Sequence, residues 1–182
     1  MAKREALRDL QVRLAKRLQA AQSEGISVSW LAVRAGGHNY LLPLGQSGEI
    51  VGMSHPQAVP YSTDWFKGVL NVRGSLVGVV DLAGFVAAHA GMPARLESAV
   101  AGATSSEASV VTLNVHLEVN CALQVDSLAG LRGSDAFVSS APAQAGVPEY
   151  FGPFHIDKEG QRWQEINLRA LAQSPTFLSI GA

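Results

Sequence analysis

The chain has 182 residues, of which 47% are hydrophobic, and its formal net charge is −1. This length fits one domain, or two small ones packed together, with enough apolar residues for a sizeable core. A net charge near zero gives no general reason to expect binding to nucleic acid or to an anionic membrane. The charge is uneven, because residues 1–20 carry six basic and two acidic side chains, a balance of +4, which leaves −5 for the remainder.

The cysteine content and the hydropathy indicate the cellular compartment in which the protein is expected. Cys121 is the single cysteine, so no intramolecular disulfide can form and a reducing compartment is favoured. The charged N-terminus lacks the continuous apolar segment of a signal peptide. No run approaches the ~18 apolar residues of a membrane helix. We therefore expect a soluble cytoplasmic protein without direct membrane insertion.

Residues 1–25 are predicted to form an amphipathic helical extension that stops at Gly25. One helical stripe carries four leucines, Leu7, Leu10, Leu14 and Leu18. Three interpretations stay open: the stripe packs on the chain's own domain, binds a partner or a second copy, or lies on a membrane surface. The last has the least support, because the bulky aromatic residues of such helices are missing.

Short apolar runs in a Gly-rich chain are typical of a mainly β protein with many turns. Ile26 to Val33 and Tyr40 to Leu44 are predicted as one hairpin. Trp65 to Leu82 contains a second, with apolar runs on both sides of the turn Asn71-Val72-Arg73-Gly74. Since glycine tolerates the positive φ of such a turn, the pattern places Arg73 at the rim of a buried hairpin. An ordinary solvated arginine is the simpler alternative.

The middle of the chain combines a loose connection with the cleanest strand pattern. Phe85 to Ala90 fits a short helix or a turn, and residues 91–108 indicate a flexible connection rich in Ala, Gly and Ser. Val110 to Val119 alternates strictly and predicts one long strand, with His116 on the face opposite its apolar residues. Cys121 to Asp126 is the predicted returning strand, which Ser127 to Leu131 extends.

The last quarter is predicted as a long loop followed by strands and a helix. Residues 134–153 form the loop, with a short strand at 136–138. Phe154 to Asp157 and Gln161 to Ile166 are predicted strands. Asn167 is the expected N-cap of a short C-terminal helix ending at Ala172, after which 175–182 is an additional tail.

The segment GVLNVRGSLVGVVDL, residues 68–82, resembles the central signature of the CheW-like chemotaxis coupling proteins. Turn, Arg, Gly and Asp fall in the family's order and spacing, and Trp65-Phe66 stand where these proteins carry an aromatic residue just before the signature. Val125-Asp126 and Asn167-Leu168 match weaker family features, and the resemblance covers about residues 28–172. With the basic N-terminal helix and the tail, the chain is most similar to the twitching-motility (PilI-type) branch.

The resemblance implies two packed SH3-like five-stranded β-barrels that share an apolar seam. The expected organisation is an N-terminal helical extension at 1–25, a CheW-like domain at 26–174 and a C-terminal tail at 175–182. Such proteins are adaptors without enzymatic activity. They couple the cytoplasmic tip of a methyl-accepting chemoreceptor to the regulatory domain of a CheA-like histidine kinase, at membrane receptor arrays.

The resemblance also implies where partners bind: the receptor tip in the groove between the barrels, and the kinase on a barrel edge. Arg73 is the first candidate for a polar anchor, because a guanidinium can bond carbonyls or carboxylates at a rim. The other candidate partner-binding residues are Glu49, Ile50, Val72, Gly74 and Val115.

Catalytic and cofactor-binding patterns are weak. The five histidines are dispersed without metal-ligand spacing, and the stretch Gly45-Gln46-Ser47-Gly48 only half resembles a nucleophile elbow. Asp81 and Asp126 each end a predicted strand, where we expect the side chain to stabilise a turn or to cap a helix. We therefore expect no catalytic residue, metal or cofactor. The alternatives are a small ligand-binding or hydrolytic β-barrel protein and, less favoured by the acidic body, a binder of single-stranded nucleic acid.

Overall fold

A computed structural model describes residues 28–52, 54–91 and 108–182. The strands are β1 Val28–Ala35, β2 His38–Pro43, β3 Ser47–Gly52, β4 Phe66–Val72, β5 Ser75–Asp81, β6 Ser109–Leu113, β7 Cys121–Val125, β8 Ser127–Gly133, β9 Phe137–Ala141, β10 Phe151–Asp157 and β11 Arg162–Ile166. The helices are α1 Leu82–Ala90, α2 Leu168–Gln173 and α3 Pro175–Leu178, with 3₁₀ turns at Val115–Leu117 and Ser134–Ala136. No helix within these ranges is long and apolar enough to cross a membrane. The predicted N-terminal helix and most of the predicted connection at 91–108 lie outside the described residues.

Two mixed sheets form the fold, and the expected mainly β architecture is confirmed. One sheet has the order β8-β1-β2-β11-β10-β9 and the other the order β3-β6-β7-β5-β4. The first therefore has six strands, one more than the resemblance implies. The pairs β2–β11 and β5–β7 are parallel, and the other pairs are antiparallel. The five-stranded sheet is built from consecutive chain, whereas the six-stranded sheet combines the two ends of the described chain.

Both faces of the central strands are buried, which explains their unbroken apolar runs. Val80 and Val111 belong to a core shared by the two sheets. Their neighbours Val79 and Val110 belong to a second cluster within the five-stranded sheet. A third cluster around Trp163 lies within the six-stranded sheet. Each sheet thus encloses a small core of its own and packs its outer face against the other sheet.

Contacts between distant strands show that both sheets curl. Arg73, at the β4–β5 turn, lies 3.0 Å from Glu49 on β3, although β3 and β4 are opposite edges of their sheet. In the other sheet, the ring of Trp30 on β1 stands edge-on to Phe137 on the edge strand β9, with centroids 5.8 Å apart. This curling is the property that the resemblance to paired SH3-like barrels implies.

The first glycine of the signature permits a close crossing of the chain. Gly68 has φ +119°, and a Cβ there would overlap the backbone of Gln57. Gln57 exchanges backbone hydrogen bonds of 2.8 and 2.9 Å with Val69, so a loop covers the outer edge of β4 at this point. Any larger residue at position 68 would push this loop away.

The predicted strand from Val110 to Val119 is wrong beyond Leu113. The Asn114 side chain accepts a hydrogen bond of 3.0 Å from the amide of His116 and caps a 3₁₀ turn. Asparagine offers the backbone this local alternative to a sheet ladder, which an alternation pattern cannot detect. Val115 consequently leaves the strand and is 82% exposed.

The segment after Asp126 is a strand, as predicted, but it does not continue β7 within the five-stranded sheet. β8 crosses to the six-stranded sheet and pairs there with β1. The short strand predicted at 136–138 is present as β9, at Phe137–Ala141. The Asp126 carboxylate accepts a 2.7 Å hydrogen bond from the amide of Gly36 in the β1–β2 turn. This bond supports the β1–β2 turn, 90 residues earlier in the chain, and links the two sheets at the crossing.

The residues that cap the first two helices agree with the sequence analysis. Asp81 accepts from the amide of Gly84 and begins α1, so the ambiguous segment before Ala90 is a helix. Asn167 accepts from the amide of Ala170 and begins α2, which confirms the predicted N-cap. The segment predicted as a tail contains α3, and its Phe177 is only 3% exposed within the shared core.

Candidate partner-binding site at the Arg73 hairpin

The β4–β5 hairpin ends in a two-residue loop, Arg73-Gly74, between the paired residues Val72 and Ser75. Both loop residues have positive φ, +50° and +89°, which is the pattern of a type I′ turn. The side-chain oxygen of Asn71 accepts a 2.8 Å hydrogen bond from the Gly74 amide and tightens the loop. A left-handed backbone is unfavourable for arginine. The predicted turn is therefore present, and it holds Arg73 at the rim.

Arg73 forms an ion pair with Glu49, whose carboxylate oxygen lies 3.0 Å from the guanidinium Nε. The side chains are 79% and 48% exposed, so the pair contributes only ~0.2–1 kcal/mol to folding. Thr112 on β6 fixes the backbone of Glu49: its hydroxyl accepts a 2.7 Å bond from the Glu49 amide and donates to the Glu49 carbonyl. Both charges thus have defined positions and remain open to a partner.

A groove of about 350 Å³ opens beside this ion pair. Four of the candidate residues line it, namely Glu49, Val72, Arg73 and Val115. Ile50 and Gly74 do not: Ile50 lies on β3 with 46% of its surface exposed, and Gly74 completes the turn. The structure therefore brings together most of the residues selected from sequence, from three separate parts of the chain.

The floor of the groove comes from residues that the sequence did not single out. Val77 belongs to the core within the five-stranded sheet, and Cys121 belongs to the core shared by both sheets. The groove therefore reaches the seam between the sheets. Val119 completes the wall, after the Glu118 backbone turns with φ +57°. No local pattern indicates these wall residues, because their position depends on the 3₁₀ turn after Asn114.

The groove offers little for catalysis. Burial raises the pKa of the Cys121 thiol to about 12, so it is a neutral thiol at physiological pH. Ser47 is 8% exposed, and its hydroxyl donates a 3.0 Å bond to the Pro43 carbonyl. Across the described ranges, no group of three or more His, Cys, Asp or Glu side chains is arranged to hold a metal ion. What the groove presents is an apolar wall with one anion and one cation at its rim.

Comparisons with known proteins agree with this architecture. The CheW-like domain model matches residues 29–176. Protein PilI of Pseudomonas aeruginosa is 33% identical over 172 residues, which cover 92% of this chain and 88% of that protein. The crystal structure of the scaffolding protein TtCheW from Thermoanaerobacter tengcongensis superposes with a TM-score of 0.56 at 15% identity, over 75% of this chain and 86% of that one. The chain belongs to the CheW-like family.

Proposed function

We propose that this protein is a non-enzymatic adaptor that couples a membrane chemoreceptor to a histidine kinase in a chemotaxis-like pathway controlling twitching motility. Family membership and the identity to PilI support the pathway. The observation that carries the adaptor role is the groove at Arg73, where exposed apolar surface and two exposed charges lie side by side. In this proposal the protein acts in the cytoplasm, at receptor arrays.

The groove suits a helical receptor tip. An amphipathic helix places its apolar face in a groove and its polar flank at the rim. Val115 would supply apolar contact, and burying such a side chain contributes about 1.5 kcal/mol or more. Arg73 uses Nε for Glu49, which leaves the terminal guanidinium nitrogens to bond a carboxylate or carbonyl of the partner. We place the receptor here and the kinase regulatory domain on a free sheet edge.

The test is a pair of binding titrations on the same preparation. The cytoplasmic fragment of the cognate receptor and the regulatory domain of the cognate kinase are each titrated by calorimetry. We expect Arg73→Ala and Val115→Ser each to weaken receptor binding by about tenfold or more, equivalent to ~1.4 kcal/mol, with kinase binding retained.

Arg169→Ala is the matched control, since Arg169 is an exposed arginine on α2, outside the groove. Receptor affinity unchanged in both groove variants would disprove the assigned site. Failure of the wild-type protein to bind either partner would disprove the adaptor function itself.

A further inference from the structure

The core shared by the two sheets reaches solvent near the start of β1. Leu31 on β1 is 3% exposed within that core, whereas Leu131, its direct partner on the edge strand β8, is 58% exposed. Directly paired residues of antiparallel strands have their side chains on the same face of the sheet. Leu131 therefore extends the buried face of the six-stranded sheet into solvent.

Leu44 extends the same face on the other side of β1. Its amide donates a 2.9 Å hydrogen bond to the Ser29 carbonyl, so the β1–β2 ladder continues one residue beyond Pro43. Leu44 thus shares a face with Leu42, which is fully buried in the shared core, but is itself 39% exposed. We call Leu44 and Leu131 the β1 patch, because the first residues of β1 run between them.

The chain enters the fold beside this patch. The described part of the chain begins with β1, and its first residue, Val28, pairs with Gly133, two residues from Leu131. Only two residues separate β1 from Gly25, where the predicted N-terminal helix stops. Three extended residues span at most about 10 Å. The end of such a helix must therefore lie near the patch.

The charges around the patch suit a basic helix. Residues 1–20 have a balance of +4 and the remainder of the chain a balance of −5. Both arginines of the described strands β1, β2 and β8 lie on the opposite face: Arg132 pairs directly with Trp30, and Arg34 follows Trp30 by four residues on β1. Asp135 is exposed in the 3₁₀ turn directly after β8. A cationic helix on this face would thus meet an acidic neighbour and neither of these arginines.

We propose that the leucine stripe of residues 1–25 packs on the β1 patch of its own chain and covers Leu44 and Leu131. In a helix, the stripe from Leu7 to Leu18 is about 16 Å long, enough to contact leucines on both sides of β1. The short connection makes this packing intramolecular, which gives it a high effective concentration. The proposal goes beyond the adaptor function and does not depend on it.

Thermal melts of full-length variants test the contact. Leu131→Ser and Leu14→Ser should each lower Tm by about 4 °C or more, and the double variant should lower it little further, because the effects of residues in contact do not add. Leu76→Ser is the control for an exposed leucine, 65% exposed on β5. Lys16→Ser is the control on the opposite side of the predicted helix. Each control should shift Tm by about 2 °C or less.

Cysteine pairs test whether the contact forms within one chain, and their readout does not depend on stability. Leu131→Cys is combined in turn with Leu10→Cys, Leu14→Cys and Leu18→Cys, and each protein is mildly oxidised; the native Cys121 is a buried neutral thiol. We expect at least one pair to give a disulfide-linked monomer on non-reducing electrophoresis. Lys16→Cys with Leu131→Cys should give none.

Any of three results would overturn the proposal. The first is a Tm shift for Leu131→Ser no larger than that for Leu76→Ser, which would mean that the patch is solvated. The second is full additivity of Leu131→Ser and Leu14→Ser; coupling to Leu96→Ser instead would assign the patch to the connection at 91–108. The third is a set of disulfides that join two chains, which would assign the patch to a second copy.

Discussion

Replacing Arg73 with asparagine should make the protein more stable and its binding to the partner weaker. Arg73 occupies a left-handed backbone conformation, φ +50°, which costs an ordinary L-residue roughly 1 kcal/mol. Asparagine followed by Gly74 is the favoured pair for this turn type. The variant loses the ion pair with Glu49, but exposures of 79% and 48% place that pair near the lower end of ~0.2–1 kcal/mol.

The balance is a net stabilisation of about 0.5 kcal/mol, or a rise in Tm of roughly 1–2 °C for a chain of this size. Loss of a central interface arginine should cost about 2 kcal/mol of binding free energy, close to a 30-fold loss of affinity. Calorimetric melts and receptor titrations of the wild type, Arg73→Asn and the control Arg169→Asn measure both effects. A lower Tm by more than about 2 °C would mean that the arginine stabilises the fold, and unchanged receptor affinity would refute its role at the interface.

Three further predictions concern stability. The hydrogen bond from Trp163, with further bonds from the Gln161 and Glu159 amides, holds the pKa of Asp157 below its usual range. This contribution is fully present above about pH 5 and is lost as pH falls through the lowered pKa, so Asp157→Asn should lower Tm at pH 7 and the difference should narrow toward pH 3. Phe177→Ala should cost about 3–5 kcal/mol in urea unfolding, because the ring is buried in the shared core; a cost below about 1 kcal/mol would contradict that packing. Deletion of residues 1–24 should leave a cooperative thermal transition, and its loss would mean that the leucine stripe belongs to the core.

Local chemistry made part of this structure predictable. The turn at Arg73-Gly74 and the cap at Asn167 each follow from residues a few positions apart in the chain. The family signature extended this to the fold class and to most of the groove. These features are predictable because the residues that form them are the same residues that the sequence pattern contains.

The features that could not be predicted depend on distant chain segments. Alternation gave no sign that Asn114 would end β6, because its side-chain bond to His116 competes with a ladder that the pattern also allows. The crossing of β8 to the other sheet depends on its pairing with β1, about 100 residues earlier. Within the described residues the Tyr40 hydroxyl has no hydrogen-bond partner, and nothing in the sequence distinguishes this tyrosine from any other aromatic residue of a buried strand.

The order of strands in the six-stranded sheet has a consequence for synthesis on the ribosome. β2 pairs with β11 at Tyr40 and Gln164, so this sheet stays incomplete until its last strand has been made. At 5–20 residues per second, β11 is synthesised roughly 6–25 s after β2. In that interval the five-stranded sheet, made from residues 47–125, can already close. Through that interval the outer edge of β2 presents unpaired backbone groups, and an unpaired edge of this kind can pair with a strand of another chain.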